Sequence, residues 1–364
     1  MKISLLKESF LEKLNLAAKF TSSRLVSSSV LQGVCLVGGE NIIDLYSTNL
    51  NYYYHTVIKN EGRHEFKMVV EPKKISEFLS LISEPKIDLE IADKKLTIES
   101  GRVKGEFPLF ESGEFPFPPT LTTEKKKIKA ALIKKNLSTI VFSASSDETR
   151  PVLTGIDFVS TGDDLKLVST DGFRLSLLTL KKEESLPSMI VPAPFLSEVA
   201  KLIDEDEVSF SYSPEEKILA FHIGNHDLYT RLIDGEFPPF EKVIPTDKKT
   251  TVTIDREEFL RNVKLVSIFA REFSSVIILK VEKEGVVLLP KTGNDSANIV
   301  KQDAVVEGEP QKIAFNYKFL ADFLSNSSAK KIIIELLRGD APALFKSEGQ
   351  DNFIHIIMPI RIQE

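Results

Sequence analysis

The sequence is short of several things, and each shortage excludes something. It holds one cysteine, Cys35, in 364 residues. That rules out a disulfide framework within the chain and a four-cysteine zinc site, and it fits a reducing compartment. No apolar run approaches the length of a membrane span, and the opening MKISLLKESFLEK sets Glu8 and Lys13 where a signal peptide needs unbroken apolar residues. A cytoplasmic protein is expected. Basic charge is not in excess, since 47 Lys and Arg against 53 Asp and Glu leave a net charge of -6. This argues against a protein that holds nucleic acid mainly by neutralising phosphates. Tryptophan is absent as well, which excludes nothing by itself.

The chemistry of an enzyme is missing too. Neither a GxxxxGK[ST] phrase nor a GxGxxG opening a helix after a strand occurs, so no phosphate-binding loop is expected. The histidines are His55, His64, His222, His226 and His355, and only His222 and His226 have a spacing that suits a metal on a helix. Their context, FHIGNHDLY, reads as a strand and a Gly-Asn turn, which separates the two side chains. Cys35 and the serines of SSRLVSSSV have no neighbouring base. The expectation is no catalytic residue, no metal and no cofactor.

What is present is size and repetition. A chain of this length with 42% hydrophobic residues exceeds what one core usually holds, so two or three domains are expected. Four elements then recur in the same order. The first is an amphipathic helix: ESFLEKLNLAAKF from Glu8, KKNLSTIVFSAS from Lys134 and EEFLRNVKLVSIF from Glu257. Leu11, Leu137 and Leu260 correspond, 126 and 123 residues apart, each followed three residues later by Leu14, Ile140 or Val263. The second is a pair of strand-like runs, from Leu31, Leu153 and Val276, broken by Gly-Gly, Gly-Asp-Asp or Glu-Gly in the manner of hairpins.

The third element is a strand and a helix: MVVEPKKISEFLSLIS, MIVPAPFLSEVAKLID and IAFNYKFLADFLSNSS. Ile75, Leu196 and Leu320 align, each with an acid two residues on, at Glu77, Glu198 and Asp322, and Pro72 or Pro194 sits near the helix start in two copies. The fourth is a strand meander that closes on SGEFPFP from Ser112 and DGEFPPF from Asp234. Domains over 1–121, 122–247 and 248–364 are expected. Each supplies strands for an antiparallel sheet and two helices that share one of its faces.

These phrases resemble the bacterial sliding clamp family, the beta subunit of the replicative DNA polymerase. The resemblance spans the chain and rests on Ser169-Thr170-Asp171-Gly172-Phe173-Arg174-Leu175 and Asp234-Gly235-Glu236-Phe237-Pro238 in the second repeat, and on Met358-Pro359-Ile360-Arg361 at the end. It implies an α+β DNA-clamp fold of three repeated domains, with sheets outside and helices inside. It also implies a head-to-tail homodimer that forms a ring around duplex DNA, closed by symmetry. Retention by topology then makes a negative net charge tolerable.

By the same resemblance, Phe107 and Leu109 meet Ile268 and Phe269 of the partner; read from the sequence alone, the four are equally well core residues of their own domains. Candidate DNA contacts are Lys13, Lys19, Lys73, Lys74, Lys134, Lys135, Lys201, Arg261, Lys264 and Lys318, with Arg24 in the loop after the first helix. Glu8, Glu12, Glu257 and Glu258 lie on the same helices, a mixture usual for a solvated face.

The resemblance also implies a pocket that takes short linear motifs of the polymerase, the clamp loader and other DNA-processing proteins. The matching positions are Leu153, Thr170, Gly172, Phe173, Arg174, Leu175, Pro238, Lys242 and Val243 in the second repeat, with Asn316, Phe319, Leu344, Met358, Pro359 and Arg361 in the third. Apolar side chains suit a partner's leucine and aromatic residue, and Asn316 and the arginines are the expected polar anchors. Read alone, Thr170-Asp171-Gly172 is a tight turn and Leu175 a strand residue. Phe173 stands where many members have histidine, Lys242 where arginine is common and Phe319 where tyrosine is common, and the tail runs on through Ile362, Gln363 and Glu364. The other reading left open is a three-domain peptide-binding scaffold that does not encircle DNA.

Overall fold

The structure, a computed structural model, describes residues 2–22, 29–92, 94–111, 113–182, 186–271, 274–291 and 298–361. Six α-helices lie among them: α1 (Lys7–Ala18), α2 (Pro72–Ser80), α3 (Ala130–Lys134), α4 (Ala193–Leu202), α5 (Arg256–Ala270) and α6 (Tyr317–Asn326). None of the described helices is long and apolar enough to cross a membrane. Two compact units divide the chain, Met1–Lys129 with Leu202–Leu232 and Ala130–Lys201 with Ile233–Glu364.

The first unit is built on a ten-stranded antiparallel sheet. Its longest strand, Tyr52–Val70, pairs with Val34–Thr48 and also with His226–Arg231, so strands of the first and second repeats form one sheet. Phe10, Leu14 and Ala17 make the buried stripe of α1, and Pro72, Ile75 and Leu79 that of α2. The two helices pack on each other, and α1 lies against both long strands. Cys35 is buried here, and burial pushes its thiol up to about 11.

The second unit carries a twelve-stranded sheet, again antiparallel throughout. Strand Arg174–Lys181 of the second repeat pairs with Phe353–Ile357 of the third, Leu175 opposite Ile356 and Leu177 opposite Ile354. Helix α5 begins where the Asp255 carboxylate accepts from the Glu258 amide, and it buries Phe259, Val263, Val266 and Ala270 at helical spacing. Inside the same face Asn262 donates to Gln302 at 3.0 Å and Gln302 to the Asp255 carbonyl at 3.1 Å, so a buried amide pair is satisfied.

The strand-then-helix phrases fold as the spacing predicts in all three copies, with Ile75, Leu196 and Leu320 fully buried. Two expectations are corrected. KKNLSTIVFSAS is not a helix: α3 ends at Lys134, and 3₁₀ turns follow at Leu137–Thr139 and Val141–Ser143. The Ser138 and Thr139 hydroxyls donate to the Lys135 and Asn136 carbonyls, and three β-branched residues follow one another at 139–141, both unfavourable to helix. Leu137 and Ile140 are buried all the same, so the apolar spacing reports burial even where the helix fails.

Nor is Gly38-Gly39 a hairpin turn. Val34–Thr48 is one strand with register shifts between Gly38 and Ile42. A Cβ on Gly38 would lie 2.2 Å from the His64 carbonyl, so the bulge needs glycine for close backbone approach. The reversal comes later, at Asn49-Leu50-Asn51.

Candidate partner-binding site

The second unit contains every described residue of the expected pocket. It starts from the turn between strands Asp164–Thr170 and Arg174–Lys181. Thr170 donates its hydroxyl to the Arg174 carbonyl at 2.6 Å and accepts from the Gly172 amide at 3.0 Å. The Asp171 carboxylate accepts from the amides of Phe173 and Arg174 at 2.8 and 2.9 Å. Gly172 has φ +91, and a Cβ there would come within 3.3 Å of an Arg150 nitrogen.

The first repeat builds the same turn 122 residues earlier. Thr48 donates to the Tyr52 carbonyl at 2.7 Å and accepts from the Leu50 amide at 2.8 Å, while Asn49 accepts from the Tyr52 amide at 2.8 Å. The turn is thus a property of the fold, and what sets the second repeat apart is what surrounds it.

Leu175, one pair from the turn, belongs to a buried cluster with Val168, Leu177, Phe240, Leu344 and Ile356, against which Phe237 and Ile244 pack. DGEFPPF delivers Phe237 and Phe240 to that cluster, and the 3₁₀ turn Phe240–Val243 leaves Lys242 exposed and Val243 40% exposed. The Met358 amide donates to the Phe173 carbonyl at 2.8 Å, which extends the sheet beyond Ile357. Phe173 and Met358 stay 59% and 38% exposed. Phe173 stacks on Phe319 with centroids 6.5 Å apart. A buried apolar floor beside half-exposed apolar side chains can take apolar side chains of an extended peptide.

Two of the expected polar anchors are already engaged within the protein. Arg174 is not free: its guanidinium meets Asp171 at 3.0 Å and Asp322 at 2.6 Å, and lies 4.7 Å from the Phe319 ring centroid and 5.6 Å from that of Phe142. The Asn316 side-chain oxygen accepts from the Lys318 amide at 3.0 Å and caps α6. Arg361 and Pro238 are exposed, Pro359 half-buried, and Leu153 is buried outside the Leu175 cluster. Ile362, Gln363 and Glu364 lie outside the described residues.

Sequence reasoning missed Arg150, beside Gly172, and the supporting roles of Phe240 and Asp322. Signals for the last two existed, in the aromatic residues of DGEFPPF and in the acid that recurs after Ile75, Leu196 and Leu320. Beneath the seam His355 is fully buried, its Nδ1 2.9 Å from the Ser176 hydroxyl and its ring stacked on Phe323 at 4.9 Å. Burial, with the Arg174 charge adding, pushes its imidazole down to about 3.

Of the basic residues, Lys19, Lys73, Lys134, Lys135, Arg261, Lys264 and Lys318 are exposed. Lys74 pairs with Glu71 at 3.0 Å and Lys201 with Glu198 at 2.6 Å. Lys13 differs: its ammonium donates to the Val57 carbonyl, and burial lowers its pKa. Arg24 lies outside the described residues. Ile268 and Phe269 are exposed on α5. Phe107 and Leu109 are half-buried on strand Val103–Phe110, Phe107 against Phe78 at 5.3 Å. His222 and His226 occupy opposite faces of their hairpin, His222 bonded to Asp227 and His226 to Tyr54.

Solved structures share this fold. The DNA polymerase III beta subunit of Thermotoga maritima matches with a TM-score of 0.90 at 22% identity, covering 100% of both chains. The DNA polymerase sliding clamp of Bacillus subtilis matches at 0.87 and 23%, again over 100% of both. The class is that of the three-repeat clamp fold. Among curated relatives, the beta sliding clamp of Bacillus subtilis is 24% identical over 99% of this chain and 100% of its own length, and that of Halalkalibacterium halodurans 26% identical over 98% of each. Models of the N-terminal, central and C-terminal domains of the DNA polymerase III beta subunit match residues 1–121, 127–239 and 241–361 in turn. The chain belongs to the DNA polymerase III beta subunit family, and its function is that of a sliding clamp, a non-catalytic polymerase subunit.

Proposed function

We propose that the clamp works as a head-to-tail homodimer of three-domain chains, with domains over 1–121, 122–247 and 248–364, which closes around duplex DNA. Docked on its surface are the replicative polymerase, its loader and other motif-bearing proteins. The observation that carries the docking part is the half-exposed set Phe173, Val243 and Met358 beside the buried floor of Leu175, Leu344 and Phe240. In the dimer the exposed Ile268 and Phe269 of one chain cover Phe107 and Leu109 of the other. Support comes from the strand that carries the latter pair. Among the described residues, Val103–Pro108 pairs only with Lys95–Ser100, which leaves one side of that stretch open to a further strand.

Duplex DNA passes over exposed basic residues on and beside the helices, Lys73, Lys135, Arg261, Lys264 and Lys318 among them, without sequence readout. Lys13, Lys74 and Lys201 contribute less, because each is already engaged within the protein. Sedimentation tests the assembly. Wild-type protein is expected at twice the chain mass, and the double variant Ile268→Glu, Phe269→Glu at the chain mass with an unchanged fold. A variant that remains dimeric places the interface elsewhere.

A further inference from the structure

In the first unit a row of hydrogen-bonded side chains crosses five adjacent strands. Asp44 on Val34–Thr48 lies 2.8 Å from Nε2 of His55, and Nδ1 of His55 lies 3.0 Å from Asp227 on His226–Arg231. The other oxygen of Asp227 lies 2.6 Å from Nδ1 of His222, whose Nε2 is 3.2 Å from the Ser211 hydroxyl. Tyr46 stacks on the His55 ring at 4.6 Å.

His55 and Asp227 are direct partners across the seam where the first repeat's sheet joins the second's, a pairing of five residues on each strand, Tyr52–Thr56 with His226–Thr230. Counted from the shared turn, His55 and Asp227 stand where Leu177 and Ile354 stand at the seam of the second and third repeats. At this position one seam is bridged by charge, the other by apolar side chains.

The geometry fixes the proton count. A neutral imidazole has one N–H, yet both ring nitrogens of His55 face carboxylates, so both bonds are made only by the imidazolium. We propose that Asp44, His55, Asp227 and His222 form a proton-dependent latch that holds this seam shut, and that loss of the His55 proton releases it.

The groups around His55 agree. From its own sheet it faces Asp44 and Tyr46 on one side and Asp227, Tyr229 and His222 on the other; Phe117 lies against Tyr46, with the Lys67 ammonium 5.0 Å from that ring's centroid. Burial works against the imidazolium, but the hydrogen bonds it donates to Asp227 and Asp44 outweigh it and lift His55 to about 9. Burial likewise opposes the Asp227 carboxylate, and bonds from His222 and His55 hold it well below the usual carboxylate range. Burial, followed by the nearby carboxylates, pushes Tyr46 and Tyr229 up to about 12, so neither phenol supplies charge in this range. Because the folded-state value of His55 is raised, the latch is fully closed below the ordinary histidine pKa and is lost as pH rises through about 9.

Two measurements test the latch. With ¹³C-labelled histidine, the His55 signal, assigned by elimination from separate replacements of His64, His222, His226 and His355, is expected to titrate above pH 8 in the wild type. In Asp44→Asn it should titrate at least one unit lower. Hydrogen exchange of the seam amides, corrected for intrinsic rate, should gain tenfold or more between pH 7.5 and 9.5 in the wild type. In His55→Gln it should be fast already at pH 7.5 and flat thereafter. A His55 titration near pH 6.5, or seam exchange with one pH profile in wild type and His55→Gln, overturns the proposal. Asp44→Asn keeps both imidazole partners as acceptors, so its titration decides the matter even where His55→Gln folds poorly.

Discussion

Arg174, at the end of the second repeat's turn, and Asp322, in the last helix of the third, meet at 2.6 Å. Arg174 is nearly buried, with a second carboxylate at Asp171 and aromatic rings on Phe142 and Phe319, whereas Asp322 is half in solvent. Removal of the guanidinium leaves Asp171 without its ion partner and empties the space beside two rings. Arg174→Ala is expected to lower unfolding free energy by about 1–3 kcal/mol, and Asp322→Asn by under about 1 kcal/mol. Arg174→Lys should fall between them, since lysine keeps the charge but not the fork or the stacking. Urea denaturation followed by circular dichroism checks the order; an Asp322 effect as large as that of Arg174→Ala contradicts it.

The proposed docking surface calls for substitutions at its exposed rim. Leu175 is buried in the core of the seam, so a charge there would unfold the neighbourhood and say nothing about binding. Deletion from Met358 onward would also remove Ile360, whose amide donates to the Ala314 carbonyl at 2.8 Å and whose side chain packs on the sheet. Val243→Asp and Met358→Glu are the better probes. Each is expected to weaken binding of a polymerase-motif peptide at least tenfold by fluorescence anisotropy, with melting temperature within a few degrees of wild type. Wild-type affinity in both variants would move the site away from this seam.

How much of this was legible in the sequence divides along sequence distance. The strand–helix phrases around Ile75, Leu196 and Leu320 were legible because a helix stripe and its preceding strand are local patterns. The broken helix at Lys134 was not, because Leu137 and Ile140 keep a helical spacing while hydroxyls and β-branching undo the helix itself. Strand pairing across repeats was out of reach: nothing near His55 announces Asp227, and nothing near Arg174 announces Asp322. For the same reason Arg174 was read as a polar anchor for a partner, when Asp171 and Asp322 already hold its guanidinium.

His355 gives the second seam a definite acid sensitivity. Its imidazole is pushed down to about 3 from an ordinary 6.5, so the neutral ring contributes stability above pH 6.5 that is lost as pH falls toward 3. Between pH 6.5 and 4.5 this amounts to about 2–3 kcal/mol, at roughly 1.4 kcal/mol per pH unit. His355→Phe should unfold with correspondingly less dependence on pH across that window, whatever its stability at pH 7.5. Parallel curves for the two proteins would show that His355 is charged, or reached by water, in the folded state.

Encirclement of DNA is the central claim, and retention on DNA of two shapes tests it most directly. Protein loaded by its loader onto nicked circular plasmid should remain bound at high salt, where phosphate contacts alone are released. It should leave within minutes once the plasmid is cut to a linear form. Equal retention on circle and line, or loss from both when salt is raised, would contradict a clamp held by topology and favour a peptide-binding scaffold.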